Sequence, residues 1–100
     1  MDNTDWEYLS LHRKNRVLEV TFRSPNKVNS LNNALMRELT QLAQELQFDS
    51  ELSAIILTGA EDIFSAGMDL GDPEAANASK LTLAERRQLI KVGPAMCAAW

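Results

Sequence analysis

Residues 63–70 read IFSAGMDL and lie just past a short apolar run, AIILTG. Ser, Ala, Gly and Met precede the first charge, Asp69, so the stretch carries little side-chain chemistry. What it can offer is backbone. A loop at a strand end, loosened by a glycine, can aim peptide N–H and C=O groups at a ligand. The other reactive side chains are scattered. His12 stands beside Arg13 and Lys14 in a strand-like stretch and reads as a surface residue. Cys97 lies among Ala and Met and reads as an inert core thiol, with no His or Asp spaced to activate it. Glu61 and Asp62 read as solvated carboxylates, and Asp69 as one hydrogen-bonded within its own loop. No His/Cys/Asp spacing suggests a metal site, and neither a GxGxxG nor a P-loop pattern occurs.

The elements that would position this loop are legible upstream and downstream. YLSLHR and RVLEVTF each alternate apolar and polar residues across Lys14-Asn15, which predicts a β-hairpin. Asn15 tolerates the positive φ that such a turn demands. SPNKVNSLNN is a loop, since Pro25 cannot donate to a sheet ladder and holds Ser24 extended. Asn32 is placed to cap a helix. Leu35, Met36, Leu39, Leu42, Ala43 and Leu46 then form one apolar stripe that fades near Phe48-Asp49. SAIILT, ended by Gly59, reads as a strand covered on both faces. Residues 60–80 are loop-like, with GDPEAANAS the most mobile stretch. Thr82 to Glu85 fits a capping box opening a second helix. Gly93-Pro94 interrupts it: Pro94 either removes one helical hydrogen bond or begins a new helix in its first turn. AMCAAW stops without a cap, so the chain is expected to be the front part of a longer protein.

Composition narrows the function classes. Ten Lys and Arg against fourteen Asp and Glu leave a net charge of −4, a poor match to nucleic acid as the main partner. The Arg86-Arg87 pair reads as a solvated helix face. A single cysteine excludes an internal disulfide and suggests a reducing compartment. The start, MDNTDWEYL, lacks the basic and apolar regions of a secretory signal, and no apolar run reaches the length of a membrane span. The expected location is cytoplasmic.

Three pieces, in order, resemble the crotonase superfamily, the enoyl-CoA hydratase/isomerase family. They are VLEVTF with SPNKVNSLN, the helix-length spacing to AIILTGA, and FSAGMDL, which is the most specific. The resemblance covers about residues 8–70, with 82–100 helical beyond it. It implies an α/β fold, a spiral of ββα units, of which this chain would be the truncated N-terminal portion. It implies an enzyme acting on acyl-CoA thioesters through an enolate, with coenzyme A carried by the substrate and no other cofactor. The backbone N–H of Met68, after the loop glycine, matches the family's first oxyanion donor, a contribution of about 3–4 kcal/mol by analogy with other oxyanion holes. Gly67 lets the backbone approach the ligand. Ala66 matches the carbonyl that accepts from the adenine amine, and Leu70 an apolar wall near the adenine. The Lys27-Val28-Asn29 backbone matches the segment along the pantetheine and phosphates, where Lys27 would act as a point charge. Asp69 belongs to the same matched loop. Met68 departs from the small residue common there. The second oxyanion donor and the proton-transfer carboxylates have no counterpart in the chain. The resemblance also implies a homo-trimer or hexamer. Two other readings stay open: a non-catalytic acyl-CoA-binding module without those carboxylates, and a plain α/β interaction domain.

Overall fold

The computed structural model describes residues 6–23, 29–60, 63–69, 72 and 77–100. Strands β1 (Leu9–Lys14) and β2 (Val17–Phe22) pair antiparallel, from Leu9 opposite Phe22 to Lys14 opposite Val17. The turn is therefore Asn15-Arg16, one residue later than the sequence pattern placed it. Asn15 takes φ 57°, a left-handed conformation that Asn tolerates better than most residues.

Helix α1 (Asn33–Leu46) begins where expected. The Asn32 side chain accepts from the Leu35 N–H at 2.7 Å, satisfying one of the helix's orphan donors. Its stripe of Leu35, Met36, Leu39, Leu42, Ala43 and Leu46 is buried. Of these, Leu35, Leu39, Leu42 and Leu46 share one cluster with Leu9, Leu18, Val20 and Phe22, one face of the hairpin, so period 3.6 meets period 2 across a single core.

Strand β3 (Ala54–Gly59) returns parallel to β2, with Val20 opposite Leu57 and Phe22 opposite Gly59. The sheet order is β1-β2-β3, which leaves β3 at an edge. The expectation of a strand covered on both faces is not met. Ile56 is 50% and Leu57 38% exposed, because the described residues put one neighbouring strand beside β3 and pack little over it.

A 3-10 turn (Ala78–Lys80) leads to α2 (Leu83–Ile90), which the expected capping box opens. Thr82 Oγ1 accepts from the Glu85 N–H at 3.1 Å, and Glu85 Oε1 accepts from the Thr82 N–H at 3.2 Å. Helix α3 (Val92–Ala99) follows after Lys91. Both readings of Pro94 meet here. It lies in the first turn of α3, and the α2 ladder ends one turn earlier, where its missing N–H would have bonded Ile90. Helix α3 packs on α1, and the Trp100 indole N–H donates to the Leu39 carbonyl at 3.0 Å.

Candidate active site

The loop after β3 folds back over the strand's last residue. A side chain on Gly59 would put its Cβ 2.1 Å from the Ile63 oxygen and 2.5 Å from the Phe64 oxygen, so only glycine allows this return. Phe64 stacks its ring on Phe22, centroids 5.0 Å apart and tilted by 37°, an arrangement aromatic pairs favour.

Asn29 ties this loop to the chain before α1. It is 2% exposed, and its amide donates to the carbonyls of Ala60 at 2.7 Å and Ile63 at 2.8 Å. It also holds φ 52°, a conformation open to Asn at low cost. The Asn29 carbonyl accepts from Ser65 Oγ at 2.7 Å, and that oxygen in turn accepts from the Gly67 N–H at 3.1 Å. Leu31 then makes a parallel bridge with Met68. The Leu31 N–H donates to the Gly67 carbonyl at 2.6 Å, and the Asp69 N–H donates to the Leu31 carbonyl at 3.0 Å.

This bridge decides where the Met68 N–H points. Peptide bonds are planar and trans, so the Met68 N–H is directed opposite the Gly67 carbonyl. With that carbonyl held by Leu31, the Met68 N–H faces away from Leu31, and no described residue accepts from it. The Met68 side chain is 68% exposed. Gly67 reaches this geometry at φ +95°, which side-chain-bearing residues rarely adopt. An unpaired, rigidly held N–H beside an open surface can stabilise negative charge on a ligand oxygen.

The site residues expected from the sequence divide clearly. Gly67, Met68 and Asp69 lie on the bridged loop, Ala66 is exposed beside them, and Asn29 is buried beneath it. Lys27, Val28 and Leu70 lie outside the described residues. Asp69 uses its backbone on both sides, with its carbonyl accepting from the Asp72 N–H at 3.3 Å. His12 is exposed on β1 opposite Glu19, as expected. Cys97 is not a core thiol: it is exposed on α3, where it lines an open apolar cleft with Leu39 and Trp100 and lies outside the buried cluster.

The sequence reading missed three side chains. Ser65 bridges two loops, and the Asn29 amide clamps two carbonyls. Asp72, placed by pattern in a mobile stretch, is buried and accepts from the Asn33 N–H at 2.7 Å, capping α1 a second time. Each acts on residues 31 to 39 positions away, beyond any local pattern. A buried Asn at a left-handed position is the one signal that turn chemistry could have offered.

An apolar cleft of about 400 Å³ adjoins the loop, lined by Phe22, Leu57, Phe64, Gly67, Met96 and Trp100 among others. The titrating groups that are clearly shifted sit elsewhere. The Arg13 hydrogen bond holds Asp49 below the usual carboxylate range, and hydrogen bonds from Thr82 do the same for Glu85. No cluster of three or more potential metal ligands occurs among the described residues. Nor, among them, is any helix long and apolar enough to cross a membrane.

Comparison with known proteins places this geometry in context. The chain is similar to the short-chain-enoyl-CoA hydratase of Clostridium acetobutylicum, 37% identical over 68 residues, 67% of this chain and 26% of that protein. It is similar to the mitochondrial Delta(3,5)-Delta(2,4)-dienoyl-CoA isomerase of Mus musculus, 39% identical over 56 residues, 56% of this chain and 17% of that protein. An enoyl-CoA hydratase/isomerase structure from Mycobacterium paratuberculosis superposes with a TM-score of 0.73 at 28% identity, over 92% of this chain and 36% of that one. The enoyl-CoA hydratase of Bacillus anthracis, at 21% identity, shares the fold with a TM-score of 0.73 over 93% of this chain and 35% of that one. The chain thus spans about a quarter or less of its curated relatives and about a third of the solved structures. The fold is the α/β crotonase type, represented here in part. The model of the family described as enoyl-CoA hydratase/isomerase matches residues 12–91, most of the strands, helices and bridged loop just described, and the chain belongs to that family.

Proposed function

We propose that the protein processes acyl-CoA thioesters, with the Met68 N–H as one donor to the thioester oxygen as it gains enolate charge. The observation that carries this reading is the orientation of that N–H. The Gly67 carbonyl opposite it is bound to Leu31, and the N–H itself has no partner among the described residues. A donor fixed before the ligand arrives costs no reorganisation during reaction. Membership of a family whose relatives include a hydratase and an isomerase supports an enolate or a related anion as the species to be stabilised. In this reading Ala66 and Leu70 meet the adenine, Lys27, Val28 and Asn29 flank the pantetheine and phosphates, and Gly67 and Asp69 frame the donor. Coenzyme A arrives as part of the substrate. The assembly would be a trimer or a pair of trimers.

The test is Met68→Pro in the full-length protein, which deletes the N–H. Turnover is expected to fall by about a hundred- to a thousandfold, the usual loss for one oxyanion donor. A folded variant with turnover near that of the parent overturns the assignment.

A second reading, a non-catalytic acyl-CoA-binding module, is favoured by one observation. The buried carboxylate next to the loop, Asp72, is committed to the N-terminus of α1. Binding of a CoA thioester by the full-length protein, with neither hydration nor double-bond migration, would select it.

A further inference from the structure

Ser65 accounts for something that Leu31 alone does not. Two peptide planes flank Gly67, and each must be held if the Met68 N–H is to keep one direction. The plane after Gly67 is held by the Leu31 N–H on the Gly67 carbonyl at 2.6 Å. The plane before it is held by Ser65 Oγ, which accepts the Gly67 N–H at 3.1 Å. Ser65 can do this because its own proton is already placed, on the Asn29 carbonyl at 2.7 Å. Asn29, 2% exposed, is itself anchored by hydrogen bonds from its side-chain amide to the Ala60 and Ile63 carbonyls. The hydroxyl therefore transmits the rigidity of a buried residue to a glycine that has none of its own. Without the hydroxyl, the Gly67 N–H and the Asn29 carbonyl both lose a partner, and φ at Gly67 is set by one plane instead of two. Glycine is the residue in which such a loss matters most, since its backbone roams most widely.

We propose that Ser65 is a positioning residue: its hydroxyl, relayed from Asn29, fixes Gly67 at φ +95° and so aims the Met68 N–H at the substrate's thioester oxygen. This rests on the reading of Met68 as a donor, and its test separates the two. Butyryl-CoA labelled with 13C at the thioester carbonyl is bound to the full-length protein, and the carbonyl stretch is read by isotope-edited infrared spectroscopy. The parent protein is expected to move the stretch to lower frequency than in solution. Ser65→Ala is expected to lose a measurable part of that displacement while its dissociation constant for butyryl-CoA changes little, and Ser65→Thr, which keeps a hydroxyl, to recover it. Turnover by Ser65→Ala should fall by roughly ten- to a hundredfold with KM little changed, the scale of a small misplacement of a catalytic group. Loss of stability alone would not move the stretch of a bound ligand. If the parent shows no displacement, the Met68 reading fails and takes this one with it. If the parent shows it and Ser65→Ala shows it equally, the role of Ser65 is overturned, while Met68→Pro still decides the reading of Met68. Should Ser65→Ala fail to fold, Ser65→Cys, a much weaker acceptor, takes its place, and a full displacement there overturns the proposal.

Discussion

Gly59 and Gly67 sit eight residues apart and are glycine for different reasons, which makes them separable by mutation. At Gly59 the obstacle is space: an added Cβ meets backbone oxygens at 2.1 and 2.5 Å, and backbone cannot rotate aside. Gly59→Ala should therefore lift the loop from β3 and cost at least about 1–3 kcal/mol, the range for overpacking. At Gly67 there is room, with nothing within 4 Å of an added Cβ, but φ is +95°. Gly67→Ala should cost about 1–3 kcal/mol through backbone strain alone. Urea denaturation gives both losses. Phe64 ring resonances tell them apart, because a lifted loop separates Phe64 from Phe22, whereas strain at Gly67 leaves that ring pair in place. The sequence marked Gly67 as a place of backbone freedom and marked Gly59 only as the end of a strand. The reason for Gly59 lies in a chain segment that returns over it, and local pattern does not show that return.

At the scale of elements, α1 carries two caps from distant parts of the chain. Asn32 was legible because capping is local and Asn is a strong cap. Asp72 was not, since its partner Asn33 is 39 residues away. Asn32→Ala should cost about 1 kcal/mol. Asp72→Ala should cost about 1–3 kcal/mol, because it strands a buried N–H, and Asp72→Asn should recover much of that by keeping an acceptor. Thermal melts of the three variants would rank them. The other end of the sheet carries an exposed ion pair, Arg13 with Asp49, closing the β1 end onto the exit of α1. The Arg13 hydrogen bond lowers the Asp49 pKa. A lowered carboxylate pKa stabilises the fold above the unfolded value, about 3.9, and the contribution disappears as pH falls through the folded value. The stability gap between the parent and Asp49→Asn should thus be present at neutral pH, shrink below about pH 4, and shrink at neutral pH in high salt. A gap that is flat from neutral pH to pH 2 would show that the pair adds nothing.

On the scale of the whole molecule, one side of the core is closed and the other is open. The α1 face of the hairpin is buried, whereas β3 leaves Leu57 38% exposed at the apolar cleft and Ile56 50% exposed on the other face of the strand. An unpaired edge with apolar side chains invites strand pairing with another chain. The 100-residue chain in isolation should therefore associate as its concentration rises, and Ile56→Lys should reduce that association without loss of fold. Sedimentation velocity across a concentration series measures both. The apolar run SAIILT had suggested burial on both faces. That reading took the chemistry of the side chains correctly and misjudged the cover over them, which depends on how many strands and helices lie alongside.

What the amino-acid sequence determined by itself was local. It specified the hairpin, the stripe of α1, the Asn32 cap, the capping box at Thr82 and a glycine-bearing loop with a family signature. Each of these depends on residues within about one turn or one strand of each other, where period, propensity and capping act. The tertiary structure decided which backbone group is left without a partner among the described residues. The Leu31 N–H holds the Gly67 carbonyl opposite the Met68 N–H, and Ser65 Oγ joins the Gly67 N–H to the Asn29 carbonyl. A peptide plane has no preferred direction in the sequence; it acquires one only when another segment of chain binds its opposite side.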